Sequence, residues 1–309
     1  MSIIAVIAPV FLLVLAGYLA AYFRVLRVGD IDGLSRFVFN IALPVLLFKS
    51  LANVALPEQL NWQFFLSYYG VVVVIYGLGM WLSRLWFAAP AQEQSVFGMG
   101  ASYSNLILVG LPVIAAGLGE EALLPLFMLV SVHSAVLFFI TTVLVERGSN
   151  NGRSPRQIAL QTGKSLARNP IIIGLVLGLL VNLLRLPIPQ AAAEAIDMLS
   201  KAALPCSLFV LGGSLTTYKV AGHFTEAGLI IGLKMVLQPI LVWLLVFPVF
   251  HINPLWGTVA VMAAGMPVGI NAYIYAQNYR LGSAALATAV LLSTILAIFS
   301  QSLWLYLLT

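Results

Sequence analysis

Two stretches of this sequence combine side chains that can hold an anion with residues that interrupt helices. One runs from Ala263 to Tyr279, AAGMPVGINAYIYAQNY, where Gly265, Pro267 and Gly269 precede Asn271. The other runs from Ser104 to Ile114, SNLILVGLPVI, where Asn105 precedes Gly110 and Pro112. A carboxamide donates hydrogen bonds through its nitrogen and accepts them through its oxygen. Proline removes a backbone donor and clashes with the preceding turn, and glycine weakens a helix. Breaks at Gly110-x-Pro112 and Gly265-x-Pro267 would free amides on one side and carbonyls on the other. The amide end carries partial positive charge. Two breaks meeting in an apolar protein would offer a carboxylate two such ends, with Asn105 and Asn271 beside them. Ser102 and Ser104 could add hydroxyl contacts, and Tyr273 is a further candidate lining residue.

The ionisable residues sharpen this chemistry. Lys234 falls about ten residues into the apolar run IIGLKMVLQPI, where a lysine is expensive and usually functional. An electrostatic role near a bound anion is one reading; snorkelling or pairing with a backbone carbonyl is the other. Lys49 lies nearer the end of its run and is expected to snorkel. His133, mid-run, is a candidate proton relay because imidazole titrates near neutrality. No Asp or Glu lies deep in any apolar run, so a buried cation site of acidic ligands is not expected. The three histidines, at 133, 223 and 251, have no metalloprotease spacing, and no metal or cofactor is expected. A single cysteine, Cys206, excludes an intramolecular disulfide.

The elements that must position these groups are membrane helices. The 309 residues are 61% hydrophobic and only 8% charged, against about 25% charged in a soluble domain. Ten apolar runs of roughly 20 residues, the length that spans a bilayer, fall at about 3–23, 34–55, 61–87, 95–117, 122–145, 169–186, 191–217, 225–250, 255–279 and 283–308. The first is read as an uncleaved span. The longest polar connection, 146–168, separates two sets of five, residues 1–145 and 169–309; within it Gln157 to Leu166 could form a short surface helix. Placing both termini outside puts 11 of the 15 basic residues in cytoplasmic loops, as the positive-inside rule requires. The net charge of +5 is therefore a membrane signature and does not suggest nucleic acid. An odd number of spans per half inverts the second half relative to the first. The halves also echo each other: Ala42-Leu-Pro44 with Phe48 and Ala203-Leu-Pro205 with Phe209 are offset by 161 residues, and the two Gly-x-Pro sequences by 155.

In the order and spacing of its motifs the chain resembles the auxin efflux carrier family, plant and bacterial. The resemblance rests on Phe39-Asn40-Ile-Ala-Leu-Pro44, Ser104-Asn105 with Gly110-Leu-Pro112, Leu204-Pro205 with Leu211-Gly-Gly-Ser-Leu215, Lys234 with Pro239, and Met266-Pro267 with Asn271-Ala-Tyr273. It implies an all-helical membrane protein of ten spans in two inverted repeats of five. Spans 1, 2, 6 and 7 would form a scaffold and spans 3–5 and 8–10 a transport domain. Spans 4 and 9 would be broken at their prolines and cross at the substrate site. The loop between the halves is short here, so regulation through a long hydrophilic loop does not carry over.

The reading that results is a secondary transporter of small organic anions, working by elevator-type exchange. It is multi-pass in the plasma or inner membrane, has both termini outside, and a homodimer is allowed. Bacterial relatives suggest dicarboxylates such as malonate or malate. A sodium- or proton-coupled organic-acid symporter and a non-transporting sensor on the same fold stay open, and an intramembrane enzyme is the rival class.

Overall fold

A computed structural model describes residues 3–56, 61–147, 154–217 and 222–309. The described residues are helical apart from turns, connections and one two-residue antiparallel bridge. Within an apolar environment a helix satisfies its backbone amides internally, which is why such runs fold this way. In chain order the helices are α1 (Ile3–Tyr22), α2 (Val28–Phe37), α3 (Leu43–Asn53), α4 (Trp62–Phe87), α5 (Ala91–Ser102), α6 (Leu111–Leu118), α7 (Leu123–Arg147), α8 (Pro155–Ala167), α9 (Pro170–Leu183), α10 (Gln190–Leu215), α11 (Phe224–Ile231), α12 (Gln238–Leu244), α13 (Pro254–Ala264), α14 (Ile270–Tyr279) and α15 (Ser283–Leu308). Among the described residues, six uninterrupted helical stretches are long and apolar enough to cross a bilayer, including Val28–Asn53 and Phe224–Val249, which join several of these elements end to end. A seventh is counted if α8 and α9, bent by 68°, make one span.

Wide π-helical turns explain how those stretches stay continuous. They lie at Val38–Ala42, Leu106–Gly110, Gly232–Leu237 and Leu245–Val249. Pro44, Pro112 and Pro239 are each the second residue of the helix that follows such a turn. A proline ring collides with the carbonyl four residues back. Here that carbonyl belongs each time to the π turn, whose wider path moves it aside. The helix therefore carries the proline and goes on. Residues 148–153 of the polar connection lie outside the described residues. Its second half forms α8, somewhat longer than expected. Ser154 caps it: Gln157 N–H donates to Ser154 Oγ at 3.3 Å, and Ser154 N–H donates to Gln157 Oε1 at 3.0 Å.

The chain divides into two compact units. The first comprises Met1–Leu60, Leu111–Ser131 and Gly163–Thr217. In it α1 packs on α10 and α3 on α9 at backbone contact. A methyl group on Gly17 would stand 1.9 Å from the Phe209 carbonyl oxygen, and one on Gly178 would stand 2.5 Å from that of Phe48. No side chain fits either place. Both residues of these two contacts are related by the 161-residue offset found in the sequence. Lys49, expected to snorkel, instead pairs with Asp197 at 2.6 Å, and Lys201 holds the other carboxylate oxygen at 2.6 Å.

The second unit comprises Asn61–Gly110, Val132–Thr162 and Tyr218–Thr309. Its core includes Phe64, Tyr68, Ile75, Met99, Val259 and Met262, all buried. Gly98 of α5 lies against the Tyr76 carbonyl of α4, and Tyr76 Oη donates to Thr141 Oγ1 of α7 at 3.0 Å. α13 packs between α12 and α15, and α14 packs on α15 and α5.

Candidate functional site

All the hydrogen-bonded features of the site lie within the second unit. α5 ends at Ser102 and helix resumes at Leu106; α13 ends at Ala264 and helix resumes at Ile270. The extended residues between them pair with each other. Gly269 N–H donates to the Tyr103 carbonyl at 2.8 Å, and Asn105 N–H donates to the Pro267 carbonyl at 3.0 Å, around an antiparallel bridge between Ser104 and Val268. Val268 N–H is bound by Ser293 Oγ of α15 at 3.1 Å. Each broken helix thus supplies the partners the other lacks, which is what unwound backbone needs in a dry interior. Gly269 is required here: a Cβ would lie 2.4 Å from Cδ1 of the Tyr103 ring.

Asn105 caps the resumed helix, its Oδ1 accepting from Leu108 N–H at 3.3 Å. Its Nδ2 is buried with no partner. Asn271, in the first turn of α14, is exposed on its solvent-accessible side, and its Nδ2 donates to Tyr103 Oη at 3.0 Å. Tyr103 Oη also lies 2.5 Å from Ser134 Oγ. The imidazole of His133 is wedged among Tyr68, Tyr69 and Tyr103, the last at a ring separation of 4.8 Å. Its Nε2 accepts from Ser104 N–H at 3.0 Å, so the neutral ring carries its proton on Nδ1, a buried donor without a partner. Ser104 Oγ accepts from Tyr68 Oη at 3.1 Å. The result is a pair of helix N-termini close to the bridge, with Asn105 Nδ2 and His133 Nδ1 as buried side-chain donors without a partner.

Several sequence-level expectations land elsewhere. The break in the first stretch falls at Tyr103–Asn105, not at Gly110-x-Pro112. Gly110 N–H closes the π turn onto the Asn105 carbonyl at 2.9 Å, and Pro112 lies in the helix beyond it. Pro267 does lie in an extended segment, whereas Gly265 is the C-cap of α13. Ser102 Oγ turns back to the Gly98 carbonyl of its own helix at 2.8 Å. Tyr273 Oη accepts from Gln277 Nε2 at 2.5 Å on the exposed side of α14. The helical repeat puts Tyr275 rather than Tyr273 on the face of Asn271, and Tyr275 packs on Phe138. His133 holds the break through the nitrogen a relay would have to protonate. Lys234 is fully buried and its Nζ donates to the carbonyl of Ala264, the last residue of α13. It faces a carbonyl end, not an amide end. Sequence reasoning missed Tyr103 and Ser293, because a tyrosine and a serine in apolar runs carry no pattern of their own.

Polar backbone opened inside an apolar helical unit suits a polar solute that must leave water to cross a bilayer, and its sequence relatives make the molecule a membrane transporter rather than an enzyme. Sequence comparison narrows the class. The profile of the membrane transport protein family matches residues 2–305, and the chain belongs to this family, which includes the auxin efflux carriers its motifs resemble. Among its relatives is a protein of Rhizobium meliloti named "putative malonate transporter", 27% identical over 99% of this chain and 96% of the relative. An uncharacterized transporter of Methanothermobacter thermautotrophicus is 27% identical over 96% of each chain. Auxin efflux carrier component 8 of Arabidopsis thaliana is 22% identical over 96% of this chain and 94% of its own length.

Proposed function

We propose that the protein is a secondary transporter of small organic anions whose carboxylate is held at the paired breaks. The observation that carries this is the backbone bridge between Tyr103–Asn105 and Pro267–Gly269, which sets the N-termini of the two resumed helices beside it, with Asn105 Nδ2 buried there and without a partner. Asn271 and Tyr103 complete the polar lining. A carboxylate accepts several such bonds at once and is favoured by helix N-termini. The name of the Rhizobium relative points to short dicarboxylates as the first class to test.

The architecture we propose has ten spans in two inverted repeats of five, with both termini outside. The matched contacts Gly17–Phe209 and Gly178–Phe48 support the repeat, since one operation exchanges them. Elevator-type exchange is supported by the division into two units, the first holding α1–α3, α9 and α10 together with α6 and the start of α7, which the expected scaffold of spans 1, 2, 6 and 7 did not include, and the second holding the bridge. The test is a thermal-shift screen of purified protein against organic acids, because a ligand that binds only the native state raises its melting point. Hits are then followed as uptake of the labelled acid into proteoliposomes. Malonate or a similar acid should stabilise the protein and be carried. Failure of every carboxylate to do either would overturn the assignment.

A further inference from the structure

The polar connection between the two sets of spans holds a helix that the transport reading does not use. α8 runs from Pro155 to Ala167, and α9 begins three residues later. The junction is built to break: Asn169 Oδ1 accepts from Ile171 N–H at 2.9 Å, and Pro170 is the first residue of α9. α9 carries no charged residue, and Ile173, Val176, Leu177 and Leu180 are exposed on it, as lipid-facing residues are. α8 is bent away from α9 by 68°. Spans tilt from the membrane normal by about 20° on average. A helix bent that far from one therefore runs closer to the membrane surface than to the normal, beginning from the level where α9 leaves hydrocarbon.

The helix has two faces. Ile158, Thr162 and Leu166 follow one another at four-residue steps; Ile158 is buried and the other two are half-buried, so this row is turned to the protein. Arg156, Leu160, Lys164 and Arg168 follow at the same steps but two residues out of phase, about 200° around a helix. All four are exposed, Leu160 by 66%. No acidic residue lies between Glu146 and Glu194 in the sequence, and among the described residues no ion pair takes any of the three cations. Cations set around an exposed leucine at membrane level fit a surface that offers phosphate oxygens and apolar groups together. A soluble phosphate would meet the cations and leave Leu160 in water. We propose that this row docks α8 on the headgroups of anionic phospholipids, Arg156, Lys164 and Arg168 binding phosphate oxygens and Leu160 dipping beneath them. The chain passes from the second compact unit to the first between Thr162 and Gly163, inside this helix. Lipid that holds α8 thus acts on a joint between the units, and the charge of the leaflet sets how firmly that joint is held.

The test needs no substrate, so its outcome is separate from that of the transport reading. A fluorophore is attached at Ala167→Cys in the full chain carrying Cys206→Ser, which removes the single native thiol. Ala167 is exposed and lies two turns beyond Leu160 on the same side. The labelled protein is placed in phosphatidylcholine nanodiscs that contain a fixed fraction of lipid with a nitroxide on its headgroup. Phosphatidylglycerol is then added in rising fraction. Quenching should climb with phosphatidylglycerol and saturate. Arg156→Gln, Lys164→Gln and Arg168→Gln should each raise the half-saturating fraction about fivefold, the share of binding that one cation near an anionic surface supplies, and the triple variant should not respond. Arg156→Lys with Arg168→Lys, which keeps the charge, should respond as the parent does. A flat parent overturns the proposal. So does a triple variant that responds like the parent, or a charge-preserving variant that fails to respond. A rise reproduced by sodium phosphate in pure phosphatidylcholine discs overturns it too, because the row would then be a site for a dissolved anion.

Discussion

Gly269→Ala is the most informative single change. Its methyl would lie 2.4 Å and 2.8 Å from two carbons of the Tyr103 ring and 3.3 Å from the Ser104 carbonyl oxygen. The ring is held on its other sides by His133 and Phe138, so it has little room to turn. Relief must come from separating the two extended segments. That strains a packed site by about 1–3 kcal/mol. It also loosens the Gly269–Tyr103 backbone bond and the Asn271–Tyr103 side-chain bond, each worth about 0.5–1.5 kcal/mol. A loss of roughly 3 kcal/mol from the bridged geometry corresponds to about a hundredfold weaker binding of any anion that requires it. Gly110→Ala is the matched control. Its methyl would meet the Asn105 carbonyl at 3.4 Å and Met266 Cγ at 3.5 Å, ordinary contact distances. Binding of the carboxylate selected by thermal shift, measured by calorimetry on both variants, separates the two. We predict about a hundredfold loss for Gly269→Ala and less than about fivefold for Gly110→Ala. Equal effects, or wild-type binding by Gly269→Ala, would refute the reasoning that places the site at the bridge and not at Gly110-x-Pro112.

Other expectations follow from the same geometry. Asn105→Asp should keep the helix cap, and so the melting temperature, but abolish anion uptake, because a carboxylate replaces the unpartnered donor; retained uptake would remove Asn105 from the site. Tyr103→Phe should cost about tenfold in anion affinity with little change in melting temperature, since only the hydroxyl contacts to Asn271 and Ser134 are lost; wild-type affinity in a calorimetric titration would contradict this. Asp197→Asn should leave the denaturant midpoint close to that of wild type, because its pairs with Lys49 and Lys201 are solvated, and a marked drop in the midpoint would show the pair to be structural. Export of a dianion from vesicles should speed up with an inside-negative potential set by valinomycin, with no sodium or proton gradient, since each charge gains about 2.3 kcal/mol per 100 mV. Efflux that ignores potential and requires either gradient would refute uncoupled export.

The sequence made the apolar helices and the two broken regions legible, because both are recorded in residue type: long runs without charge, and glycine, proline and asparagine inside them. The 161-residue offset was legible in Pro44, Pro205, Phe48 and Phe209, and Gly17 and Gly178 obey it, but that these two glycines meet backbone was not marked in the sequence. The exact break was not. Gly110-x-Pro112 and Gly265-x-Pro267 look alike, yet Pro112 follows a π turn that absorbs it while Pro267 sits in extended chain. The bridged residues Ser104 and Val268 are 164 apart, closer to the 161 of the glycine contacts than to the 155 that aligns the two prolines. A proline marks where a helix must be accommodated, and whether by widening or by breaking depends on partners far along the chain. For the same reason the sequence could place Lys234 in an apolar run without telling which end of a distant helix it would meet.

The bridge between the two broken helices is made of amides and carbonyls, groups that every residue except proline carries in full. At the proposed site, a substitution at Ser104, Asn105 or Val268 would change what surrounds the anion without deleting a strand of the clasp, unless the newcomer is proline or too large for the Tyr103 ring. Specificity and architecture are therefore inherited separately at this spot. A lineage can trade one cargo for another by altering side chains, step by step, and each intermediate still has its two helices fastened together.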